Sequence, residues 1–351
     1  MERQLATTEP WQVKVQEAEN FIASGNFENA SDILLSLIET PAEPFAYYRL
    51  AGIANITKDP AAAKYLYHKA FTLMPNICQF ILSKDHPNNG YVYKHNKNEV
   101  FINQCPLCNK SGEAYWCYCV LEVSAAYMQN YNPIRTWVYC EDCHHLYAEE
   151  FPIQKFEPSN GKSIGAGMPT RPFLFSYYSE ILTKLSQFTE GNELFEIGIG
   201  GSECILSAQE MGFNVFGLDI SEGNVQQAQK YGLDVRANDI MEFVTDQKWD
   251  IIIMGDVIEH VSDPVSVMEK VFHLLNDNGL VWISTPNFDG SFSKFSGHAD
   301  PMRREASHKN YFSRSSLLTL LERFNFIPVD YRISSQYNGS MEIIAIKKVE
   351  L

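Results

Sequence analysis

The stretch LFEIGIGGSECIL, residues 194–206, runs an apolar segment into three glycines and out into a second apolar segment. A strand that turns through glycine into a helix brings backbone N–H groups close to a ligand, so this turn marks a binding edge. Two phosphate-cradling readings fail on residue identity. A P-loop needs a Gly-Lys-Ser/Thr ending, and none follows. The dinucleotide fingerprint needs a glycine at 203, where the chain has Glu203.

Glu196 stands two residues before the first glycine, where a pyrophosphate would lie. A carboxylate there repels a diphosphate and suits a cation. S-adenosylmethionine is such a ligand, with a sulfonium, an ammonium and no phosphate. Later acids agree. Asp219, in NVFGLDIS, ends the next strand about twenty residues after Gly198, where a carboxylate accepts from ribose hydroxyls. Asp239, in RANDI, follows the third strand and is placed for the adenine amino group.

Around this turn, from about residue 190, strand and helix alternate. Strands are predicted at 193–198, 213–219, 233–236, 249–255, 279–285, 327–333 and 341–348. Such alternation means a parallel sheet covered on both faces. The last two strands are separated by SQYNGS, a hairpin connection, so one strand is antiparallel.

Together, ExGxGG at 196–201, the acid in GLDIS and the run DVIEHVSDP at 256–264 resemble the class I S-adenosylmethionine-dependent methyltransferases. The nearest branch is that of the ubiquinone-biosynthesis O-methyltransferases, over about residues 170–351. The resemblance implies an α/β fold with a Rossmann-like seven-stranded sheet whose last strand is antiparallel. It implies that Glu196, Gly198, Gly200 and Gly201 line the methionine and ribose part of the pocket. Asp219 and Ile220 would meet the ribose, Asp239 and Ile240 the adenine, and Asp256 and Val257 the cofactor at the fourth strand's end. Many members have glycine where this chain has Ser202; serine is small and is expected to cap the first helix instead.

Methyl transfer needs an aligned acceptor, and a base where the acceptor carries a proton. His260 is the candidate base, with Glu259 as its orienting partner, and both lie just past the fourth strand. His308, in the long stretch after the fifth strand, is a further catalytic candidate. Near it, His298, Asp300, Arg303, Arg304 and Tyr311 are candidates for a polyhydroxyl or anionic substrate. Upstream, Arg171, Tyr177 and Tyr178 are candidates to fold over the cofactor, with one tyrosine expected to serve only packing.

Ahead of this region lie two others. Residues 1–95 hold an internal repeat in which Ala30 aligns with Ala63, Leu34 with Tyr67 and Leu37 with Ala70, resembling a pair of tetratricopeptide repeats. They are expected to buttress the chain, to bind a protein partner or to self-associate. Residues 96–155 carry CPLC (Cys105, Cys108) and CEDC (Cys140, Cys143), two knuckles about thirty residues apart, the spacing of a structural Zn²⁺ site in a β zinc ribbon. The third domain is 156–351.

A zinc ribbon before a methyltransferase domain is similar to the layout of deoxysugar C-methyltransferases, which favours a sugar or natural-product intermediate among small-molecule or glycan acceptors. The competing readings are a protein or peptide methyltransferase docked by the repeats, and a cofactor-binding interaction protein without activity. The formal charge is −15, and each of the three regions is acidic, so nucleic acid is not an expected partner. No apolar stretch is long enough for a bilayer, and cytoplasmic residence is expected.

Overall fold

The computed structural model describes residues 10–94, 99–122, 132–152 and 168–348. Two compact units emerge. One takes the described residues of 1–101, 113–138 and 148–159, and the other those of 102–112, 139–147 and 160–351.

The first unit opens with helices α1 (Pro10–Ala23), α2 (Phe27–Leu35), α3 (Glu43–Ile56), α4 (Pro60–Leu73) and the short α5 (Cys78–Ile81). Asn26 caps α2 by accepting from the Asn29 N–H. Asp59 caps α4 by accepting from Ala62, with Pro60 at the first helical position. Ala18, Ala30, Ala46, Ala63 and Ala70 have no exposed surface, which lets neighbouring helices approach closely. Strands β1 (Glu99–Phe101), β2 (Glu113–Cys119) and the first part of β3 (Ile134–Cys140) follow. Asn55, buried on α3, accepts from the Cys117 N–H at 3.1 Å and donates to its carbonyl, so a side chain completes the β2 backbone pairing. Beyond the second knuckle, whose strand β4 (His145–Ala148) belongs mostly to the other unit, β5 (Glu150–Pro152) pairs antiparallel with β1.

The second unit continues through α6 (Leu174–Leu185), β6 (Glu193–Ile197), α7 (Glu203–Glu210), β7 (Asn214–Asp219), α8 (Glu222–Gln229), β8 (Val235–Ala237), β9 (Trp249–Gly255) and α9 (Pro264–Leu274). It closes with β10 (Leu275–Pro286), α10 (Ser291–Ser296), β11 (Asn310–Phe312), α11 (Arg314–Arg323), β12 (Phe326–Ile333) and β13 (Ser340–Lys347). Seven of these strands form one sheet, ordered β12-β13-β10-β9-β6-β7-β8. The last strand, β13, runs antiparallel to both neighbours, β10 and β12. The fold is therefore α/β with a mixed seven-stranded sheet.

The core explains the helix positions. Leu174, Tyr178, Ile181, Leu182 and Leu185 recur at helical spacing and pack on Leu194, Ile251, Ile253, Leu280 and Trp282. Each fully buried aliphatic side chain of this kind contributes about 1.5–3 kcal/mol. From β6 the chain winds to β7 and β8 on one side and then crosses to β9 on the other. Such a reversal opens a crevice at the carboxyl ends of β6 and β9, where open α/β sheets take ligands. Among the described residues no helix is long and apolar enough to cross a membrane.

Candidate functional site

The glycine turn occupies that crevice. Gly198 has φ +80 and Gly200 φ +48, conformations that favour glycine. A Cβ at Gly198 would also come within 2.6 Å of Val257 Cγ2, so Val257 leans directly on the turn. Ser202 corrects the expectation of a helix cap. It sits at φ 71 and makes no capping bond, and its buried hydroxyl has no hydrogen-bond partner. A left-handed residue with a side chain is strained, and glycine would relieve it.

Glu196 is 5% exposed, and its Oε2 has no partner. Burial pushes its carboxyl well above the usual range, with Glu203 and Asp219 adding to the effect. Asp219 latches the turn to β7. Its Oδ2 accepts from Gly200 N–H at 3.0 Å and Asn224 Nδ2 at 3.1 Å, and its Oδ1 from Ser221 N–H at 2.7 Å. A carboxylate has about four acceptor positions, which leaves room for one ligand hydroxyl. Asp239 is half-buried and accepts from Met241 N–H, Ile240 is buried, and Ile220 is exposed beside Asp219. Asp256 has φ 54 and accepts from Ser284 Oγ at 3.3 Å; burial raises its carboxyl to about 6.

Residues 168–171 roof the turn, through partners that spacing did not reveal. Met168 N–H donates to Asn224 Oδ1 at 2.7 Å, and Thr170 Oγ1 to the Gly201 carbonyl at 2.9 Å. The buried Glu203 carboxylate accepts from both the N–H and the Nε of Arg171, while an Arg171 terminal nitrogen donates to Tyr337 Oη at 2.9 Å. Glu203, the residue that breaks the dinucleotide fingerprint, thus anchors this roof. Of the tyrosines, Tyr177 donates to Glu342 within the core, whereas the Tyr178 phenol is raised by burial and then by Cys204, Glu196 and Asp256 nearby.

Glu259, His260 and His308 come together, each able to offer a ligand atom within 4.8 Å of the others. Glu259 is buried, and its Oε2 accepts from Thr285 Oγ1 at 3.0 Å. His260 Nδ1 faces the Ser307 carbonyl at 3.1 Å and His308 Nδ1 the Met302 carbonyl at 3.0 Å. These carbonyls assign the proton of each neutral ring to Nδ1 and leave each Nε2 as an acceptor. Burial lowers the basicity of both rings, His308 to about 3, so both are neutral at pH 7. The trio can take a proton at Nε2, and its donor set is also one that a divalent cation accepts.

Three of the residues expected to meet substrate instead satisfy one another. Tyr311 Oη donates to the fully buried Asp300 at 2.7 Å, and Arg303 donates to Ser293 Oγ at 3.1 Å. Arg304 is half-buried, and the His298 side chain lies outside the described residues.

The four knuckle cysteines converge within the same unit. Cys105 and Cys143 Sγ lie 3.4 Å apart, Cys108 and Cys140 3.5 Å, Cys143 and Cys108 3.6 Å, and Cys143 and Cys140 3.4 Å. A disulfide needs about 2.05 Å. Four sulfurs about 2.3 Å from one Zn²⁺ sit about 3.8 Å apart, close to what is seen. Both knuckles end on a left-handed residue, Asn109 (φ 59) and His144 (φ 50), so they share one turn geometry. The donor set and spacing fit zinc. Cys117 and Cys119 are buried strand residues, their thiols pushed up by burial, and stay outside the cluster.

Residues 171–330 match a family described as a methyltransferase domain. The ubiquinone biosynthesis O-methyltransferase of Bordetella avium is 29% identical over 116 residues, 31% of this chain and 48% of that protein. The enzyme of the same name from Chelativorans sp. is 34% identical over 106 residues, 28% of this chain and 42% of that protein. The chain thus spans about half the length, or less, of these curated relatives. Among solved structures, the N-methyltransferase NodS from Bradyrhizobium japonicum, in complex with S-adenosyl-l-homocysteine, aligns at 12% identity and a TM-score of 0.41, covering 55% of this chain and 93% of that one. Residues 171–330 of the second unit are thus similar in sequence to methyltransferase domains.

Proposed function

We propose that this chain transfers a methyl group from S-adenosylmethionine to a small-molecule acceptor, with a sugar or natural-product intermediate favoured. Glu196 carries the reading. A buried carboxyl with a free oxygen, beside a glycine turn and two further acids, ionises more readily against a cationic nucleoside and offers a phosphate no counter-charge.

The cofactor supplies an electrophilic methyl carbon on a positively charged sulfur. Glu196, Gly198, Gly200 and Asp219 would hold it, and it would supply that methyl carbon to the acceptor's lone pair. The acceptor's proton goes to His260 Nε2, while the Nδ1–H bond to Ser307 keeps the ring oriented. Glu259, fixed by Thr285, stands beside His260 and His308, and burial pushes its carboxyl well above the usual carboxylate range, so a cation forming on the ring would favour its ionisation. The roof of residues 168–171 excludes water from the cofactor side.

In this reading the cysteine cluster holds one structural Zn²⁺ on a closed thiolate shell, with no open position for catalysis. Eight unpaired cysteines suit a reducing, cytoplasmic setting. Incubation with methyl-labelled S-adenosylmethionine and an extract of the source cell tests the reading. Label in a low-mass product supports it, and label in protein or polysaccharide moves the acceptor to a macromolecule. Absence of enzyme-dependent label contradicts methyl transfer.

A further inference from the structure

We infer that His145 and Asn310 couple the cysteine cluster to the Glu259–His260 turn, so that metal held by the cluster sets the order of the acceptor end of the site. The inference rests on the methyltransferase reading for what that end does, while the wiring rests on geometry alone.

The path is short. His145 follows Cys143 by two residues, and β4 pairs antiparallel with β11, setting Phe312 opposite His145 and Asn310 opposite Tyr147. His145 has no exposed surface, and its Nε2 lies 3.1 Å from Asn310 Oδ1. Asn310 is 1% exposed, and its Nδ2 donates to the Val261 carbonyl at 2.7 Å. That carbonyl can only accept, which fixes the amide orientation and makes His145 the donor to Oδ1. The Asn310 and Lys309 N–H groups both donate to the Glu259 carbonyl, at 3.0 and 2.8 Å. One buried asparagine therefore holds the carbonyls on both sides of His260, that of Val261 through its side-chain amide and that of Glu259 through its backbone N–H, and its side chain is held in turn from the second knuckle.

The knuckle is tied in a second way. The His144 carbonyl accepts from Ser313 Oγ at 2.6 Å, and Ser313 is the N-cap of α11. Order in the CEDC turn thus reaches the chain just after His308 at two points, Asn310 and Ser313. A cluster that merely stabilised a separate ribbon would have no such bonds to the turn.

Amide hydrogen exchange of the full chain, with zinc and after chelation, tests the coupling. The His260 N–H, bonded to the Val257 carbonyl at 2.9 Å, is the reporter, and Ile252 in the central strand is the control. Chelation is expected to speed exchange over 258–262 about tenfold while leaving Ile252 within twofold. Asn310→Leu and His145→Phe should exchange fast with or without zinc, and His145→Gln, which keeps a donor, should restore the metal response. An unchanged reporter after chelation, a wild-type response in Asn310→Leu, or a protein that binds no zinc would overturn the inference. S-adenosylhomocysteine affinity is measured in parallel. Its absence with the coupling intact would count against the methyltransferase reading and leave the wiring standing.

Discussion

The two ends of the ligand edge differ in how far apart their parts lie in the chain. At the glycine turn, Gly200 and Asp219 are 19 residues apart. At the histidine end, His260 meets Ser307 across 47 residues, and His145 meets Asn310 across 165. Local strand-turn-helix geometry builds the first end, and the second exists only once distant segments are clipped together. A cofactor pocket can therefore keep its form while the acceptor end changes with the segments that hold it.

The sharpest separation of the two ends comes from His260→Gln. Methyl transfer is expected to fall about 10²- to 10⁴-fold, the usual contribution of a positioned base, with cofactor affinity within twofold. Single-turnover kinetics beside calorimetric titration of S-adenosylhomocysteine read both. Asp219→Ala should do the reverse: cofactor Kd rises roughly 10- to 100-fold, because Gly200, Asn224 and Ser221 lose a charged acceptor. Equal loss of cofactor binding in both variants would erase the distinction.

Charge offers a finer test. Asp256 has its carboxyl raised to about 6, above its unfolded value, so its contribution to stability is present in acid and is lost as pH rises through about 6. Ionisation of Asp256 over that window is the state a sulfonium prefers. The affinity of S-adenosylmethionine relative to its uncharged-sulfur product is therefore expected to rise between pH 5 and 7, by up to about tenfold. A flat ratio in paired titrations would remove this acid from the sulfonium's surroundings. Smallest is Ser202→Gly, which relieves a left-handed serine with an unpaired buried hydroxyl and should raise stability by about 1 kcal/mol, read by urea denaturation.

What the sequence made legible follows the same division. Strand periodicity and the glycine turn announced a seven-stranded sheet with its last strand antiparallel, because hydrophobic pattern and turn chemistry are local properties. The cysteine spacing pointed to a four-thiol cluster for the same reason. Ser202 misled because its identity says nothing of its φ. Asp219 was read as a ribose acceptor, and its latching of Gly200 depends on how β7 sits beside the turn. Glu203 read only as a missing glycine. The bond between Asn310 and His145 was not legible, since a buried amide and imidazole declare such a role only through partners far along the chain. Nor did spacing show that residues 102–112 and 139–147 join the methyltransferase unit while the stretch between them divides from it.

Equilibrium dialysis of methyl-labelled S-adenosylmethionine against the purified protein tests the central claim most directly. One cofactor per chain is expected, with occupancy strongly reduced by Asp219→Ala and unaffected by His260→Gln. Failure to bind at millimolar cofactor, in protein shown to be folded, would contradict it.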